Sequence, residues 1–161
     1  MKHKEHKTLP NNEVIAGVIK ALDTVPRVVL PVRGNSMLPF IIGDVDSVEL
    51  VKTEHVEVGD VILAWINGSR YVIHRVIKVD GDDVQLMGDG NLSGDERCKV
   101  SDVVAKAEYV VSPNGRRAYL YSPWRVRASR FWWKIKPVRR WILAVYRRTV
   151  LKWKLRGARR N

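Results

Sequence analysis

The stretch VILAWINGSRYVIHRVIKV, residues 61–79, decides the fold class of this chain. Two apolar runs rich in β-branched residues flank the dipeptide Asn67-Gly68, which is typical of a two-residue hairpin turn. In the second run, strand alternation puts Val72, His74 and Val76 on one face. The stretch therefore predicts a β-hairpin that carries a histidine on an apolar face.

Similar short apolar runs surround this hairpin. They cover residues 28–32, 47–51, 84–87 and 103–111, and turn signals such as Gly43-Asp44 and Asp80-Gly81-Asp82 separate them. Short strands at this spacing predict a mainly β domain with antiparallel or mixed pairing. Ahead of the strands, residues 11–24 have apolar side chains at helical spacing and end before Pro26. We expect this N-terminal helix to pack on the sheet.

Charge divides the chain into two physically different parts. The formal net charge is +12, but the residues from 115 onward hold 16 Lys and Arg and no Asp or Glu. The first 114 residues hold 13 basic and 17 acidic residues, so the excess of positive charge lies in the tail. Pro123 and Pro137 divide this tail into two predicted helices. We therefore predict an N-terminal helical segment (1–26), a β domain (27–114) and a basic, Trp-rich helical tail (115–161).

Cysteine content and hydropathy indicate the cellular compartment in which the protein is expected. The single cysteine, Cys98, excludes an internal disulfide, and its charged neighbours predict a solvated loop. Residues 1–7 are basic, but polar residues interrupt the sequence that follows, so no signal peptide is predicted. No run of about 18 apolar residues is present, so no membrane-spanning helix is expected. A cytoplasmic location is the resulting expectation.

Three segments together carry the residue types of a serine hydrolase. Gly34-Asn35-Ser36-Met37-Leu38-Pro39 offers a hydroxyl in a segment expected to form a tight turn, and a serine hydroxyl needs a base to become a nucleophile. A neutral His74 could be that base. The acidic loop from Gly88 to Asp95 offers Asp89 and Asp95, either of which could orient the imidazole through its far nitrogen.

The order and spacing of these segments resemble the serine peptidases of the signal peptidase and LexA-like superfamily, over roughly residues 28 to 111. The match is best with the Ser-His branch, the endoplasmic-reticulum and archaeal type of signal peptidase, because the LexA-like and bacterial branches have a lysine where this chain has His74. The resemblance implies a serine endopeptidase with Ser36 as the nucleophile and His74 as the base. It favours Asp95 as the orienting acid, in which case Asp89 would hold the loop or be a second acidic contributor.

Further site residues follow from the same segments. Gly34, Asn35 and Met37 are the predicted substrate and oxyanion contacts beside the Ser36 amide, because backbone N–H groups near the nucleophile would bind the oxyanion. No Cys/His cluster has the spacing of metal ligands, so neither a metal nor another cofactor is predicted. The expected partner is a peptide or protein substrate.

The tail adds a second predicted interaction. On a helical wheel Val138, Ile142 and Val145 share one side, whereas the basic residues lie opposite. This pattern predicts a basic amphipathic helix at an anionic membrane surface, with the following contacts: Trp132, Trp133, Trp141, Trp153, Arg140 and Arg147. A helix packed on its own domain or on a protein partner is the alternative, and nucleic acid is the least favoured partner.

Three functions are compatible with these observations. The favoured one is a processing peptidase held peripherally at a membrane. The second is a LexA-like self-cleaving regulator, which the histidine at position 74 and the lack of a DNA-binding domain disfavour. The third is a non-catalytic binding module that retains the fold.

Overall fold

The computed structural model describes residues 11–151. Its helices are α1 (Asn11–Leu22), α2 (Pro123–Lys134) and α3 (Lys136–Tyr146), and its strands are β1 (Val28–Pro31), β2 (Ser47–Val51), β3 (Val61–Ile66), β4 (Arg70–Asp80), β5 (Asp83–Met87), β6 (Glu96–Lys99), β7 (Val103–Val111) and β8 (Arg117–Tyr119). A short 3-10 turn, Val100–Asp102, precedes β7, and a π-helical turn, Arg147–Leu151, follows α3. The predicted mainly β fold with an N-terminal helix and a C-terminal helical extension is confirmed.

One antiparallel sheet contains all eight strands. The order along the sheet is β1-β2-β7-β3-β4-β5-β6, and β8 adds to β7. Although β6 ends this path, it also approaches β3, so the sheet curls back on itself. This curl encloses one face of strands β3 to β6 and brings Glu96, at the start of β6, to His74 of β4.

The predicted hairpin of β3 and β4 forms, but its connection has three residues, Asn67 to Ser69, instead of two. Ile62 pairs with His74 across the two strands. Asn67 and Gly68 both have positive φ angles, 51° and 63°, which is the conformation of a type I′ turn. The register fixed by this turn places His74 on the enclosed face of the sheet.

Two apolar clusters fill the β domain. The larger one joins α1 to strands β1, β2, β3 and β7, and it includes Ile15, Val18, Leu22, Leu30 and Leu50. The second lies inside the curl of β3 to β6 and includes Ile62, Val76, Leu86 and Cys98. Cys98 is therefore buried in a strand, and the prediction of a solvated loop at this position is wrong. Burial raises the pKa of its thiol to about 11, so Cys98 is unsuited to be a nucleophile.

A third cluster attaches the C-terminal helices to the domain. Trp132 of α2 and Leu143 of α3 pack on Leu38 and Ile42, which lie just after Ser36 in the chain. All four side chains are buried. Strand β8 also continues the sheet beyond residue 114, so the basic segment is joined to the domain by both pairing and packing. Within residues 11–151, no helix has the length and apolar character that crossing a membrane requires.

A tryptophan pair tests this attachment. Trp132 is 6% exposed and Trp124 is 63% exposed, although both lie on α2. We expect Trp132→Ala to lower the free energy of unfolding by about 3–5 kcal/mol, because it opens a cavity between the helices and Leu38. Trp124→Ala is the matched control and should stay within about 0.5 kcal/mol of the wild type.

Denaturant unfolding of both variants measures the difference. Equal stability of the two variants would show that the C-terminal helices do not pack on the domain as described.

Candidate active site

Ser36 lies in the loop that connects β1 to β2, and this loop is tightly closed. Gly34 has a φ of 77°, and a Cβ built on Gly43 would lie 1.7 Å from the Gly34 carbonyl oxygen. The loop can therefore fold back on itself only with glycine at position 43. Next to Ser36, Met37 is buried in the larger apolar cluster and anchors the turn. The Ser36 side chain itself remains partly exposed.

The loop from Gly88 to Asn91 lies directly against this nucleophile segment. The Gly90 N–H donates to the Ser36 carbonyl oxygen at 2.7 Å. A Cβ on Gly88 would lie 2.4 Å from that same oxygen, and a Cβ on Gly90 would lie 2.5 Å from the Asn35 carbonyl oxygen. Gly88 and Gly90 are thus required for the close contact between the backbone of this loop and the backbone of Asn35 and Ser36. The loop thereby positions Ser36.

Ser36 and His74 line the same cleft, which has a volume of about 360 Å³. Asn91 and Glu96 contribute the other polar side chains near them, together with Arg33 and Arg70 at the margin. The remaining lining is mostly apolar and includes Leu30, Val32, Leu63, Tyr71 and Ile73. The predicted nucleophile and base are therefore brought to one surface depression by two different parts of the chain.

The acidic partner of His74 is Glu96. The His74 Nδ1 atom lies 2.6 Å from Glu96 Oε2, and both atoms are buried without another polar partner among the described residues. On the other side of Glu96, Arg70 forms an ion pair with the same carboxylate. Desolvation lowers the pKa of His74 below its ordinary value of 6.5, although the negative charge of Glu96 opposes this effect. The imidazole is consequently neutral at neutral pH, as a general base must be.

The prediction that Asp95 orients His74 is wrong by one residue. Strand β6 begins at Glu96, which pairs with Leu86 on the enclosed face of the sheet. Since successive side chains in a strand point to opposite faces, Asp95 faces outward. Its carboxylate accepts a hydrogen bond from Gln85 at 2.5 Å and is 41% exposed. Sequence reasoning missed Glu96 because the resemblance pointed to the neighbouring acid; the strand register would have found it.

Asp89, the other candidate for this role, also has a different partner. It is fully buried and accepts hydrogen bonds from Arg75 Nε at 2.9 Å and Arg75 Nη2 at 2.7 Å. Arg75 follows His74 in β4 and therefore points to the opposite face. Burial lowers the pKa of Arg75, but the charge and hydrogen bonds of Asp89 more than offset this, so the net shift is upward. Asp89 is an anchor of the loop rather than the orienting acid.

The C-terminal helices bind the same loop from outside. Trp132 Nε1 donates to the Asp89 carbonyl oxygen at 2.7 Å, and Trp133 Nε1 donates to Asp89 Oδ1 at 3.2 Å. Arg139 is buried and donates to the Asp89 carbonyl and, at 2.9 Å, to the Asn91 carbonyl oxygen. Arg139 was not among the predicted site residues, because its sequence neighbours indicate only a basic helix.

Some of the residues predicted to contact a membrane are instead packed against the domain, and others are exposed. Trp132 is buried and Trp133 bonds to Asp89, so the prediction that they contact a membrane is wrong for Trp132 and disfavoured for Trp133. In contrast, Trp141, Arg140 and Arg147 are exposed to solvent. Trp153 lies outside the described residues.

Of the three residues predicted to contact the substrate or the oxyanion, two are exposed and one is buried. Gly34 and Asn35 are exposed beside Ser36, where their backbone could meet a substrate. Met37 is 1% exposed, and its side chain belongs to the core instead of the cleft. Arg33 lines the cleft in its place.

Comparison with known proteins is consistent with this geometry. The family model described as Peptidase S24-like matches residues 7–107, which span strands β1 to β6 and most of β7. The chain belongs to the S24-like peptidase family. No curated protein matches the chain significantly. The matched region contains Ser36, His74 and Glu96 but ends before helices α2 and α3.

The position of Glu96 can be tested by titration. Glu96→Gln removes the negative charge that opposes desolvation, so the pKa of His74 should fall below its wild-type value. Asp95→Asn makes the same chemical change one residue away on the opposite face and should leave the pKa of His74 unaltered. NMR titration of the imidazole resonances measures the pKa of His74 in both variants. If this pKa changed in Asp95→Asn but not in Glu96→Gln, Asp95 would be the partner of His74 after all.

The glycine contacts can be tested by adding one methyl group. Gly90→Ala should lower the free energy of unfolding by about 1–3 kcal/mol, because its Cβ has no room beside the Asn35 carbonyl. Gly17→Ala in α1 meets nothing within 4 Å and should be stabilising by up to about 1 kcal/mol. Thermal or denaturant unfolding gives the comparison; a neutral Gly90→Ala would mean that the two loops are not in contact.

Proposed function

We propose that this protein is a serine endopeptidase that cleaves peptide bonds through Ser36, His74 and Glu96. The observation that carries this proposal is that Ser36 and His74 share a cleft in which a carboxylate lies 2.6 Å from the other ring nitrogen of His74. Nucleophile, base and orienting acid are the three groups that such hydrolysis requires. Membership of the S24-like peptidase family supports the same reaction class.

Each group has a defined task in the proposed reaction. Glu96 on Nδ1 favours the tautomer with its proton on that nitrogen, which leaves Nε2 free to accept the Ser36 proton. The Ser36 oxygen then attacks the scissile carbonyl, and His74 returns the proton to the leaving amine. Water subsequently hydrolyses the acyl-enzyme with His74 again acting as the base. Backbone N–H groups near Ser36 are the proposed donors to the oxyanion.

The sheet offers a binding mode for an extended substrate. Strand β1 pairs only with β2 among the described residues, so its other edge can accept a further strand. Its residues Leu30 and Pro31 line the cleft, and the chain then continues to Ser36. The apolar lining from Leu63, Tyr71 and Ile73 fits an apolar substrate side chain next to the cleaved bond.

The proposed branch of the superfamily follows from the identity of the proposed base, His74. His74 in place of a lysine supports the Ser-His branch of the superfamily, the type found in endoplasmic-reticulum and archaeal signal peptidases. The proposed role is that of a processing peptidase at a membrane surface. A self-cleaving regulator and a non-catalytic module are the outcomes that the following experiment separates from it.

Site variants of the full chain test the mechanism. The chain is incubated with a peptide library, and mass spectrometry identifies the products. We expect Ser36→Ala and His74→Ala to abolish cleavage to a similar extent, and the double variant to be little worse, because the two residues act as one unit. Glu96→Gln should reduce kcat by at least about 100-fold, since an orienting acid in such a triad contributes up to about 10⁴-fold. Ser93→Ala in the neighbouring exposed loop is the matched control and should retain full activity.

The pattern of products separates the alternatives. Cleavage of library peptides that depends on Ser36 supports a peptidase acting on other chains, whereas Ser36-dependent fragments of the chain itself indicate a self-cleaving regulator. Unchanged activity in Ser36→Ala would contradict the mechanism. No cleavage by the wild type would leave the non-catalytic module as the better description.

A further inference from the structure

We propose that the outward face of α3 is a docking surface for an anionic lipid membrane, while its inward face holds the peptidase domain. This surface consists of four exposed apolar residues, Val138, Trp141, Ile142 and Val145; we call it the outer α3 surface. Exposed basic residues accompany it: Lys136 and Arg140 on α3, and Arg147 and Arg148 in the π-helical turn that follows. The proposal rests on the membrane-surface part of the proposed function, for which it names the binding surface, but it does not depend on the proposed catalytic reaction.

Helix geometry separates this surface from the packed side of α3. Side chains advance by about 100° per residue, so Arg139 and Leu143 lie on one side of the helix. Both are buried, at 1% and 2% exposure. Trp141 and Val145 lie on the opposite side and are 63% and 62% exposed. The attachment of α3 to the domain therefore leaves its second apolar side uncovered.

This uncovered side is unusual for a helix that already has a packed face. Val138 is 50% exposed and Ile142 is 39% exposed, and with Trp141 and Val145 they occupy adjacent positions three and four residues apart. Isolated exposed apolar side chains are ordinary, but a contiguous strip of them marks an interaction site. Within residues 11–151, α3 therefore presents four apolar side chains that are not buried.

Charge identifies the kind of partner. Lys136, Arg140 and Arg147 are exposed and lie together on the other side of α3 from the apolar strip, as the basic residues of an interfacial helix do. No acidic residue occurs from residue 115 to the end of the sequence, so the partner should be negatively charged. A nucleic acid would match the charge but would leave the aliphatic strip in water. An anionic bilayer matches both, because headgroups attract the basic residues while apolar side chains and tryptophan enter the interface.

The full chain and two double variants test the surface. Vesicles of phosphatidylglycerol mixed with phosphatidylcholine are compared with vesicles of phosphatidylcholine alone in a sedimentation assay. Trp141→Ser with Val145→Ser should weaken binding to the mixed vesicles at least tenfold. Val29→Ser with Val58→Ser is the control, because it removes two exposed apolar side chains from the β domain, 53% and 65% exposed, and should bind as the wild type does.

A second double variant tests how much the basic residues contribute to vesicle binding. Arg140→Gln with Arg147→Gln should weaken binding to the mixed vesicles by about fivefold per residue, and raising the salt concentration should reduce this difference. Circular dichroism and thermal melting verify that all variants fold as the wild type does.

Several results would overturn the proposal. They are failure of the wild type to sediment with the mixed vesicles, equal binding of the Trp141→Ser/Val145→Ser variant, and equal binding of the wild type to uncharged vesicles. Ser36→Ala should bind as the wild type does, so a failed peptidase assay and a failed membrane assay remain distinguishable.

Discussion

The ion pair between Arg75 and Asp89 is the interaction on which the active-site region depends. Both side chains are buried, and the arginine also donates to the Gly59 carbonyl oxygen at 2.8 Å. A buried pair of this kind adds little net stability compared with an apolar replacement, but removing either partner leaves an uncompensated charge that costs about 3–5 kcal/mol. The pair therefore fixes one position of the Gly88–Asn91 loop. Because Gly90 donates to the Ser36 carbonyl, the position of this loop sets the position of Ser36, the proposed nucleophile.

Strand β4 supplies both this anchor and the proposed base. His74 and Arg75 are consecutive, so the period of the strand sends the imidazole into the cleft and the guanidinium to the other face. The proposed base and the anchor of its neighbouring loop are thus coupled through one strand register, which the Asn67-Gly68 turn fixes. A slip of one residue would exchange the two side chains and destroy both functions at once.

The sequence predicts the features that depend on local pattern. Turn residues and alternation located the β3–β4 hairpin, and the prolines at 123 and 137 marked the starts of α2 and α3. The residues that it did not predict depend on contacts between distant segments. Asp95 and Glu96 are adjacent carboxylates, and which of them faces His74 follows from the pairing of β6 with β5. Likewise, Trp132 and Trp141 look alike in a basic, Trp-rich sequence, and only contacts with distant residues, Leu38, Ile42 and Asp89, determine that Trp132 is the buried one.

Helices α2 and α3, which lie beyond the region matched by the family model, contact the loop next to Ser36. The family match ends at residue 107, yet the carbonyl groups of Asp89 and Asn91 are held by Trp132 and Arg139, which lie well beyond it. Asn91 lines the cleft with Ser36, so the helices contact a residue of the site through its backbone. Their inward face is committed to this support, and only their outward face is available to a partner. A partner on that face would alter the site only if it bound one arrangement of the loop more tightly than another, because binding shifts a conformational equilibrium by its difference in affinity alone. Since the loop is fixed by the buried Arg75–Asp89 pair as well as by the helices, docking at the outer α3 surface should place the active site without reshaping it.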